Sequence, residues 1–430
     1  MQLFSLPLRG WVPPANAFLQ FFAGSPNAFW LDREFNQATP ISVIGAGLPA
    51  ENSPMTELLS NQHEDLDLPF DWRPGLVGFY EYEGTARFLN VDRAMVFDHA
   101  NRKMYLIGLF ETGEDFQHWC NAAFLRLGLI GGELAAYRLN AAATSSSNAA
   151  ASVTASLRHG ANEYLSMITR AQQHIAAGDV YQICLTNRIE IAHAADPLYV
   201  YLQLRETNPA PYAAFIRVGE STLVCSSPEQ LIQVSPSGLV STKPIKGTRP
   251  RGADAAEDEA LASELQSNEK ERAENLMIVD LMRNDIGRVA QADSVRVSKL
   301  FEIESYATVH QLVSTVEGQL AQGKTASDAF DAAFPGGSMT GAPKLRAMQI
   351  IGDLERGPRG VYSGAVGFFG FNGSADFGMT IRSIVFEGAQ AYIGVGGGIT
   401  SDSDPIAELE ETKLKAKALL RVLNAPDPWA

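Results

Sequence analysis

Cysteine is scarce in this sequence: Cys120, Cys184 and Cys225 are the three present among 430 residues. An odd, widely spaced set without a C-x-x-C pair favours neither a disulfide framework nor a structural zinc site, and it is typical of a reducing compartment. Long apolar runs are missing too, because no segment approaches the roughly 18 residues that a membrane-spanning helix needs. We therefore expect a cytoplasmic protein without a membrane partner.

Positive charge is also in short supply, since 34 Lys and Arg face 49 Asp and Glu and the formal net charge is −15. A long-range field of that sign repels phosphate, which argues against a nucleic-acid partner. An anionic small-molecule substrate would need cations concentrated at its site.

Several familiar catalytic motifs are missing. The sequence has no nucleophile elbow and no H-E-x-x-H helix. Residues 336–344, G-G-S-M-T-G-A-P-K, resemble a phosphate loop, but Lys344 is not followed by Ser or Thr. The glycines at 394–398 lack the helix and acidic ribose ligand of a dinucleotide site. The chemistry must come from other residues.

Composition divides the chain into three parts. Residues 1–138 contain strand-like runs, including a hairpin candidate from Met95 to Phe110. Residues 139–156 are rich in Ala and Ser and lack the large apolar side chains that offset ordering entropy, which predicts a linker. Residues 157–430 contain the candidate catalytic region.

A possible internal repeat links the first and last parts. The run at 75–84, G-L-V-G-F-Y-E-Y-E-G, has glycines at the same offsets as G-A-V-G-F-F-G-F-N-G at 364–373. This match indicates either a duplication, in which each half contributes an equivalent sheet, or chance convergence of glycine-rich strands.

The last part alternates between helical and strand patterns. Helices are predicted at 162–177 with Asn162 as cap, at 268–285, and from Asp404 onward. One antiparallel meander is predicted from the strands at 180–191, 212–218, 221–226, 230–234 and 239–243, and three paired strands are predicted at 364–371, 377–386 and 391–396. We expect an α+β fold with two largely antiparallel sheets packed as a β-sandwich and helices outside.

Lys246 stands out within S-T-K-P-I-K-G-T-R-P-R, residues 241–251. Pro244 fixes the approach from the preceding strand, and Gly247 lets the backbone come close to a ligand. The lysine could be a nucleophile, a ligand clamp or a solvated surface residue, and this segment alone leaves all three open.

Two helices offer carboxylates. Glu274 lies one helical step from a predicted buried stripe that contains Ala273, Leu276, Met277, Asp280 and Leu281, and a solvated side chain is the alternative reading. Glu408, Glu411 and Lys415 lie at i, i+3 and i+7, within roughly a 60° arc at 100° per residue, so they form either a surface salt-bridge ladder or one side of a site. The preceding V-G-G-G-I-T, residues 395–400, would bring backbone amides within reach of an anion.

Four motifs together resemble the chorismate-utilising enzymes, over about residues 160–422. They are P-I-K-G-T-R-P, K-E-R-A-E-N-L-M-I-V-D-L-x-R-N-D, F-P-G-G-S-M-T-G-A-P-K and G-G-G-I-x-x-D-S-D-P-x-x-E-x-x-E-T-x-x-K. The resemblance implies that Glu274, Glu408 and Glu411 hold Mg²⁺. It also implies that chorismate is bound by Gly247, Thr248, Tyr362, Arg382, Gly396, Gly397, Gly398 and Lys415.

The residue at 246 differs between branches of that family. Anthranilate synthases resemble P-I-A-G-T here, whereas aminodeoxychorismate synthases carry P-I-K-G-T, as this chain does. The resemblance to the second branch implies that Lys246 is a nucleophile and Glu229 a general acid in making 4-amino-4-deoxychorismate. Glu229 would then need a raised pKa. The alternatives are an anthranilate synthase component I and a non-catalytic chorismate-binding paralogue.

Ammonia must come from elsewhere, because the sequence lacks a G-x-C-x-G glutaminase nucleophile. The resemblance implies a separate glutamine amidotransferase subunit. Two positions depart from the family pattern: Gln311 replaces a histidine found in many relatives, and Cys184 replaces an asparagine found in some.

Overall fold

The computed structural model describes residues 1–50, 64–130, 137, 138, 140, 153–192 and 195–430. Within these ranges the strands form two sheets, and each strand pair is antiparallel. The first sheet has the order β1-β8-β7-β3-β2-β11-β12-β21-β22-β10-β18, with β9 also paired to β10. The second has the order β15-β17-β14-β13-β20-β19-β5-β6-β4, with β16 also paired to β17.

The strands of the first sheet are β1 (Gln2–Leu8), β2 (Asn27–Asp32), β3 (Ile41–Ala46), β7 (Arg93–Asp98), β8 (Lys103–Phe110), β9 (Thr154–Leu157), β10 (Gln182–Ala192), β11 (Tyr212–Val218), β12 (Ser221–Ser227), β18 (Gly341–Ala342), β21 (Ser383–Glu387) and β22 (Gln390–Ile399). The strands of the second are β4 (Leu48–Pro49), β5 (Gly75–Tyr80), β6 (Ala86–Val91), β13 (Gln230–Val234), β14 (Leu239–Lys243), β15 (Ile245–Pro250), β16 (Arg296–Ser305), β17 (Val309–Gln319), β19 (Ala365–Gly370) and β20 (Ala375–Met379).

The helices lie outside the two sheets. They are α1 (Pro14–Phe22), α2 (Gly113–Leu127), α3 (Ala161–Ala176), α4 (Pro197–Thr207), α5 (Ala255–Ser267), α6 (Glu269–Gly287), α7 (Ala326–Ala333), α8 (Lys344–Glu355) and α9 (Pro405–Val422). No helix in the described ranges is long and apolar enough to cross a bilayer.

Apolar clusters hold these layers together. Side chains of both sheets, such as Phe29 and Val43 from one and Val77 and Phe368 from the other, form a shared inner core. The outer face of the first sheet packs on α1, α2, α4 and α9, and that of the second on α6 and α7. The predicted α+β sandwich is confirmed, and its stability rests on burying both faces of each sheet.

The assignment of strands to sheets was predicted incorrectly in two places. The expected meander splits, because β12 belongs to the first sheet and β13 to the second. The expected strand at 377–386 is two strands, β20 and β21, in different sheets. Each half does not build its own sheet either, since strands from before and after the predicted linker mix in both. Strand pairing is a long-range choice that periodicity does not encode.

Most of the predicted linker at 139–156 lies outside the described residues, so the boundaries at 138 and 157 stay a prediction. The hairpin expected between Met95 and Phe110 is confirmed by the pairing of β7 with β8.

The two repeat segments are neighbours in the second sheet. Gly75 pairs with Gly370 and Gly78 with Gly367. A Cβ added at Gly78 would lie 2.1 Å from Arg87 O, and one added at Gly367 would lie 1.9 Å from Asp376 O. Because close backbone approach requires these glycines, packing alone accounts for their match, and duplication stays a hypothesis.

Helix faces also differ from prediction. In α6 the expected buried residues Leu276 and Met277 are 51% and 40% exposed, whereas Ile278, Val279 and Met282 are buried. Helix α3 begins at Gly160 as cap, with Asn162 already inside the helix. Helix α9 begins as predicted, because the Asp404 side chain accepts a hydrogen bond from Ala407 N and Pro405 takes the first helical position.

Candidate active site

Two crossings of the chain between the sheets deliver two of the predicted site residues. Glu229 lies between β12 and β13, and Arg382 lies between β20 and β21. Arg382 has a φ of 52°, a left-handed conformation that non-glycine residues rarely adopt. These two changes of sheet, which the sequence pattern did not predict, are therefore the points where the chain places an acid and a cation at the same region of the sandwich.

Buried hydrogen bonds hold the backbone just before Lys246 against α6. Pro244 O accepts hydrogen bonds from Asn275 Nδ2 at 3.3 Å and from Ser314 N at 3.2 Å. Ser314 Oγ donates to Asn275 Oδ1 at 2.6 Å. Glu274, the residue before Asn275, places Oε2 3.5 Å from Lys246 Nζ, and both side chains are 15% exposed. The structure thus brings two of the predicted residues together at the start of β15.

We expect Asn275→Ala to destabilise the fold and to loosen the contact that holds the start of β15 against α6. The substitution leaves the buried Ser314 hydroxyl without its acceptor and removes one donor from the Pro244 carbonyl, a cost of about 1–3 kcal/mol in the free energy of unfolding. Chemical denaturation would measure it. Asn284→Ala is the control, because Asn284 lies on the exposed side of α6 and bonds only its own helix. Equal stability of the two variants would contradict the expectation.

The glycine-rich end of β22 faces these residues. β10 pairs with β22 up to Ile399, whereas the described pairing with β21 stops at Ile393, so one edge of residues 394–399 has no strand neighbour among the described residues. A Cβ at Gly397 would lie 3.2 Å from Glu408 Oε2, and one at Gly398 would lie 3.2 Å from Lys246 Nζ. Glycine here lets backbone and charged groups approach a common space.

Helix α9 contributes the predicted carboxylates and ammonium. Glu408 is buried and accepts a hydrogen bond from Ser403 Oγ at 2.8 Å. Lys415 Nζ donates to Gly396 O at 2.9 Å and lies 2.6 Å from Glu411 Oε1. The i, i+3, i+7 spacing therefore places Glu408 and Lys415 against β22 and Glu411, whose side chain is 55% exposed, beside Lys415, which disfavours a ladder exposed on all sides.

The electrostatics of the two α9 carboxylates differ. Burial raises the pKa of Glu408, with the charge of Glu411 adding to this. Burial also acts to raise the pKa of Glu411, but the ammonium of Lys415, together with Lys270 and Lys246, brings it below its usual value. Opposite charges within a few ångströms favour the ionised form, so Glu411 remains an anion.

Glu229 has the environment expected of an acid. Burial raises its pKa to about 7, although hydrogen bonds from Ser338 and Ile245 and the charge of Lys246 act in the opposite direction. A carboxyl group with that pKa is partly protonated near neutral pH and can donate a proton. The raised pKa that the sequence required of Glu229 is therefore present.

The other predicted residues differ in burial and in their contacts with this cluster. Tyr362 is buried, and a Cβ at Gly394 would lie 1.9 Å from its ring. Burial lowers the pKa of Arg382, while Tyr362 and Glu411 oppose this, and its Nη1 donates to Lys415 O at 3.3 Å. Thr248 is exposed and pairs across strands with Gln311.

Gly247 adopts a positive φ of 81°, and a Cβ there would lie 2.8 Å from Leu265 of α5. Both the conformation and the close contact exclude a larger residue beside Lys246.

The donor set at Glu274, Glu408 and Glu411 suits Mg²⁺, which prefers carboxylate oxygens and keeps several waters. These side chains are now paired with Lys246, Lys270 and Lys415. In the described residues, the only trio of acidic or histidine side chains with ligand atoms all within 4.8 Å of one another is Asp32, Glu34 and His99. Arg205 already neutralises that trio through Asp32 and Glu34. Because Glu274, Glu408 and Glu411 do not bring their oxygens that close together, an ion held by all three would be bound partly through water or substrate, and Mg²⁺ at these residues stays a prediction.

Three residues of this region escaped the sequence reasoning. Lys270 lies 3.9 Å from Glu274 and acts on both α9 carboxylates, Ser338 bonds Glu229, and Gln182 approaches Gly398. Lys270 is four residues before Glu274 on one helix, a spacing that could have signalled the pair. Ser338 stands in the F-P-G-G-S-M-T-G-A-P-K motif, which could have signalled it, whereas Gln182 lies outside the four motifs.

The sequence that builds this fold matches a known family. A family model described as chorismate binding enzyme matches residues 77–421. The chain therefore belongs to the chorismate binding enzyme family.

The chain is similar to proteins of more than one activity. It is 42% identical over 405 residues to aminodeoxychorismate synthase of Streptomyces griseus, covering 89% of this chain and 55% of that protein. It is 41% identical over 372 residues to anthranilate synthase component 1 of Streptomyces coelicolor, covering 85% of this chain and 71% of that protein. Overall identity does not separate the two activities.

A solved structure gives the same family. Anthranilate synthase component I from Streptococcus pneumoniae superposes with a TM-score of 0.73 at 29% identity, covering 97% of this chain and 92% of that one. The chain spans about half the length of the Streptomyces griseus relative.

Proposed function

We propose that this protein converts chorismate and ammonia to 4-amino-4-deoxychorismate and water, with Lys246 as covalent nucleophile and Mg²⁺ as cofactor. The observation that carries the proposal is the placement of Lys246. Its amine lies among Glu274, Glu229 and the glycine edge of β22, in the position where the family sequences of the anthranilate branch have alanine. A surface lysine would have no need of that burial.

The first chemical step activates the substrate ring for substitution. The neutral Lys246 amine forms a bond from Nζ to ring C2, the two conjugated ring double bonds move from C1–C2 and C5–C6 to C1–C6 and C4–C5, and the C4–O bond breaks. Glu229 gives its proton to the departing hydroxyl, which leaves as water. Covalent catalysis of this kind divides one difficult displacement into two easier ones.

The second step is the reverse substitution, with ammonia in place of water as the group that adds at C4. Ammonia forms a bond to C4, both double bonds move back to C1–C2 and C5–C6, and the C2–Nζ bond breaks, which frees Lys246. The Glu229 carboxylate takes the proton that ammonia releases. Atoms and protons balance, because the net change exchanges hydroxyl for amine and yields one water.

The carboxylates would bind the metal, and the cations would help to bind the anionic substrate. Glu274, Glu408 and Glu411 would hold Mg²⁺, which when bound supplies a positive charge for the ring carboxylate of the substrate. Arg382, Tyr362, Lys415 and the backbone of residues 396–398 would orient the other anionic groups. These local cations solve the problem that a chain of net charge −15 poses for an anionic substrate.

We propose that a glutamine amidotransferase subunit supplies ammonia. Ammonia is mostly protonated at neutral pH and then has no lone pair for attack, so delivery next to the site would raise the usable concentration. Ammonium salts at high concentration should replace that subunit in the assay.

The raised pKa of Glu229 predicts that activity falls on the alkaline side of the pH profile. Because the acid must be protonated to release the hydroxyl, and its pKa is about 7, kcat/KM should fall as pH rises through about 7. Glu229→Gln cannot donate a proton, so its residual rate should be lower by about 10²–10⁴-fold and should lose this limb. A profile measured by stopped assay of adduct formation avoids the titration of ammonia. An unchanged limb in the variant would assign it to another group.

Product identification tests the whole proposal. The protein should be incubated with chorismate, Mg²⁺ and ammonium, and the product identified by mass and absorbance. We expect 4-amino-4-deoxychorismate. Anthranilate as the main product would replace this proposal with the anthranilate synthase reaction, and unchanged chorismate would favour a binding protein.

A further inference from the structure

Gln182 is a buried amide with no hydrogen-bonding partner at either polar atom. Its side chain begins β10 and is 1% exposed, yet neither Nε2 nor Oε1 contacts a donor or acceptor among the described residues. Buried polar groups in proteins are almost always paired, and leaving one unpaired destabilises the fold. An amide kept in this state indicates a partner that arrives with the reaction.

The strand aims this amide into the active site. Side chains alternate along β10, so Ile183 and Leu185 pack under helices α3 and α8, while Gln182 and Cys184 point to the other face. Lys246 and Lys415 act electrostatically on the Cys184 thiol, which places that face against the catalytic cations. The backbone of Gln182 is fixed by pairing with Ala342.

The amide lies close to the proposed nucleophile. A Cβ at Gly398 would lie 2.7 Å from Gln182 Nε2 and 3.2 Å from Lys246 Nζ. The two nitrogens are therefore no farther apart than those two distances added together. Only the missing side chain of Gly398 keeps the space between them open.

Lys246 has to leave its present contact to react. Its ammonium lies 3.5 Å from Glu274 Oε2, longer than an ordinary hydrogen bond of about 2.7–3.2 Å. A long, flexible lysine side chain can rotate away from this loose ion pair, but it then needs another acceptor to define its direction. Half a turn of the Gln182 carboxamide exchanges Nε2 and Oε1, so its unpaired oxygen, an acceptor, can take the place beside Gly398 that faces Lys246.

We propose that the carboxamide of Gln182 positions Lys246, accepting one N–H of its amine beside Gly398 so that the nitrogen faces ring C2. This inference rests on the proposed function, since it assigns a positioning residue to the same covalent step. Gln182 would act through Lys246 and would not bind the substrate.

Gln182→Met tests the proposal because methionine has a similar length and no amide. Protein, chorismate and Mg²⁺ are mixed without ammonia, quenched at intervals, and the peptide that contains Lys246 is examined for added mass. We expect adduct formation to slow by about 100-fold, the loss that a misplacement of about 1 Å can cause. The affinity for chorismate should stay within about threefold, because binding groups are untouched.

Stability distinguishes positioning from a structural role. Removing an unpaired amide should leave the melting temperature unchanged or raise it. Gln230→Met is the matched control, since Gln230 is also buried but bonds Tyr212 and Ser241, and it should lower the melting temperature. Gln182→Asn, whose amide is one methylene shorter, should slow adduct formation in the same way and serves if the methionine variant fails to fold.

The possible outcomes distinguish failure of this inference from failure of the proposed function on which it rests. If the unmodified protein forms no adduct, the proposed function fails, and this inference fails with it. If the unmodified protein forms the adduct and Gln182→Met forms it equally fast, only the role of Gln182 is overturned. Weaker chorismate binding with an unchanged adduct rate would also overturn it, because the amide would then contact the substrate.

Discussion

Lys246→Ala is expected to abolish ammonia-dependent synthesis of 4-amino-4-deoxychorismate while leaving chorismate bound. The substitution removes the nucleophile but keeps Glu274, Glu408, Glu411 and the glycine edge of β22. We expect kcat to fall by at least roughly 10³-fold, which corresponds to about 4 kcal/mol of transition-state stabilisation. The affinity for chorismate, measured by calorimetry, should change by less than about tenfold, because the anion-binding groups remain.

Product analysis makes this expectation sharper. An alanine reproduces P-I-A-G-T and opens space beside ring C2, so slow direct amination at C2 would yield anthranilate-type product in place of the lost one. The unmodified protein should carry substrate-derived mass on the peptide that contains Lys246, and the variant should carry none.

Lys243→Ala is the matched control. Lys243 lies in the same segment, but its Nζ bonds Glu304 Oε1 at 3.0 Å, away from the carboxylate cluster. It should retain activity. If Lys246→Ala also retains full ammonia-dependent synthesis, the nucleophile assignment is wrong, and the lysine would be at most a substrate clamp.

Loss of a carboxylate from the proposed metal site should have the second large effect. We expect Glu274→Ala and Glu411→Ala each to reduce turnover at saturating chorismate by at least roughly 10²-fold, because a divalent ion held by few protein oxygens depends on each of them. Glu274→Ala also removes the ion pair with Lys246, and Glu411→Ala removes the ion pair with Lys415.

Metal binding gives a readout independent of activity. Calorimetry with Mg²⁺, or paramagnetic resonance with Mn²⁺ in its place, should show weaker binding in both variants than in the unmodified protein. Glu410→Gln is the control from the same helix, since Glu410 is paired with Lys413 on the exposed side. A folded Glu274→Ala or Glu411→Ala variant with unchanged metal affinity and turnover would remove that residue from the site.

Local sequence was sufficient for features that depend on near neighbours. The spacing of Glu408, Glu411 and Lys415 placed them together on α9, and Asp404 with Pro405 marked where that helix begins. A helix repeats every 3.6 residues whatever it packs against, so such side-chain relations follow from sequence distance alone. The family motifs added the identity of the cluster.

Helix burial was not predictable in this way. Two helical stripes of α6 are apolar at the same period, and the structure buries Ile278, Val279 and Met282 while leaving Leu276 and Met277 exposed. The choice depends on which face meets β17 and the outer face of the second sheet, and that is settled by residues far along the chain.

The sequence alone determined the α+β class, the helix that presents two glutamates and a lysine, and the lysine-containing segment at 241–251. Only the tertiary structure decided that β12 and β13 belong to different sheets, which puts Glu229 into a buried crossing and raises its pKa to about 7. It also brought Gln182 beside Gly398. The reason is physical: burial and desolvation depend on contacts between segments separated by tens to hundreds of residues, and local periodicity contains no information about which of those segments will meet.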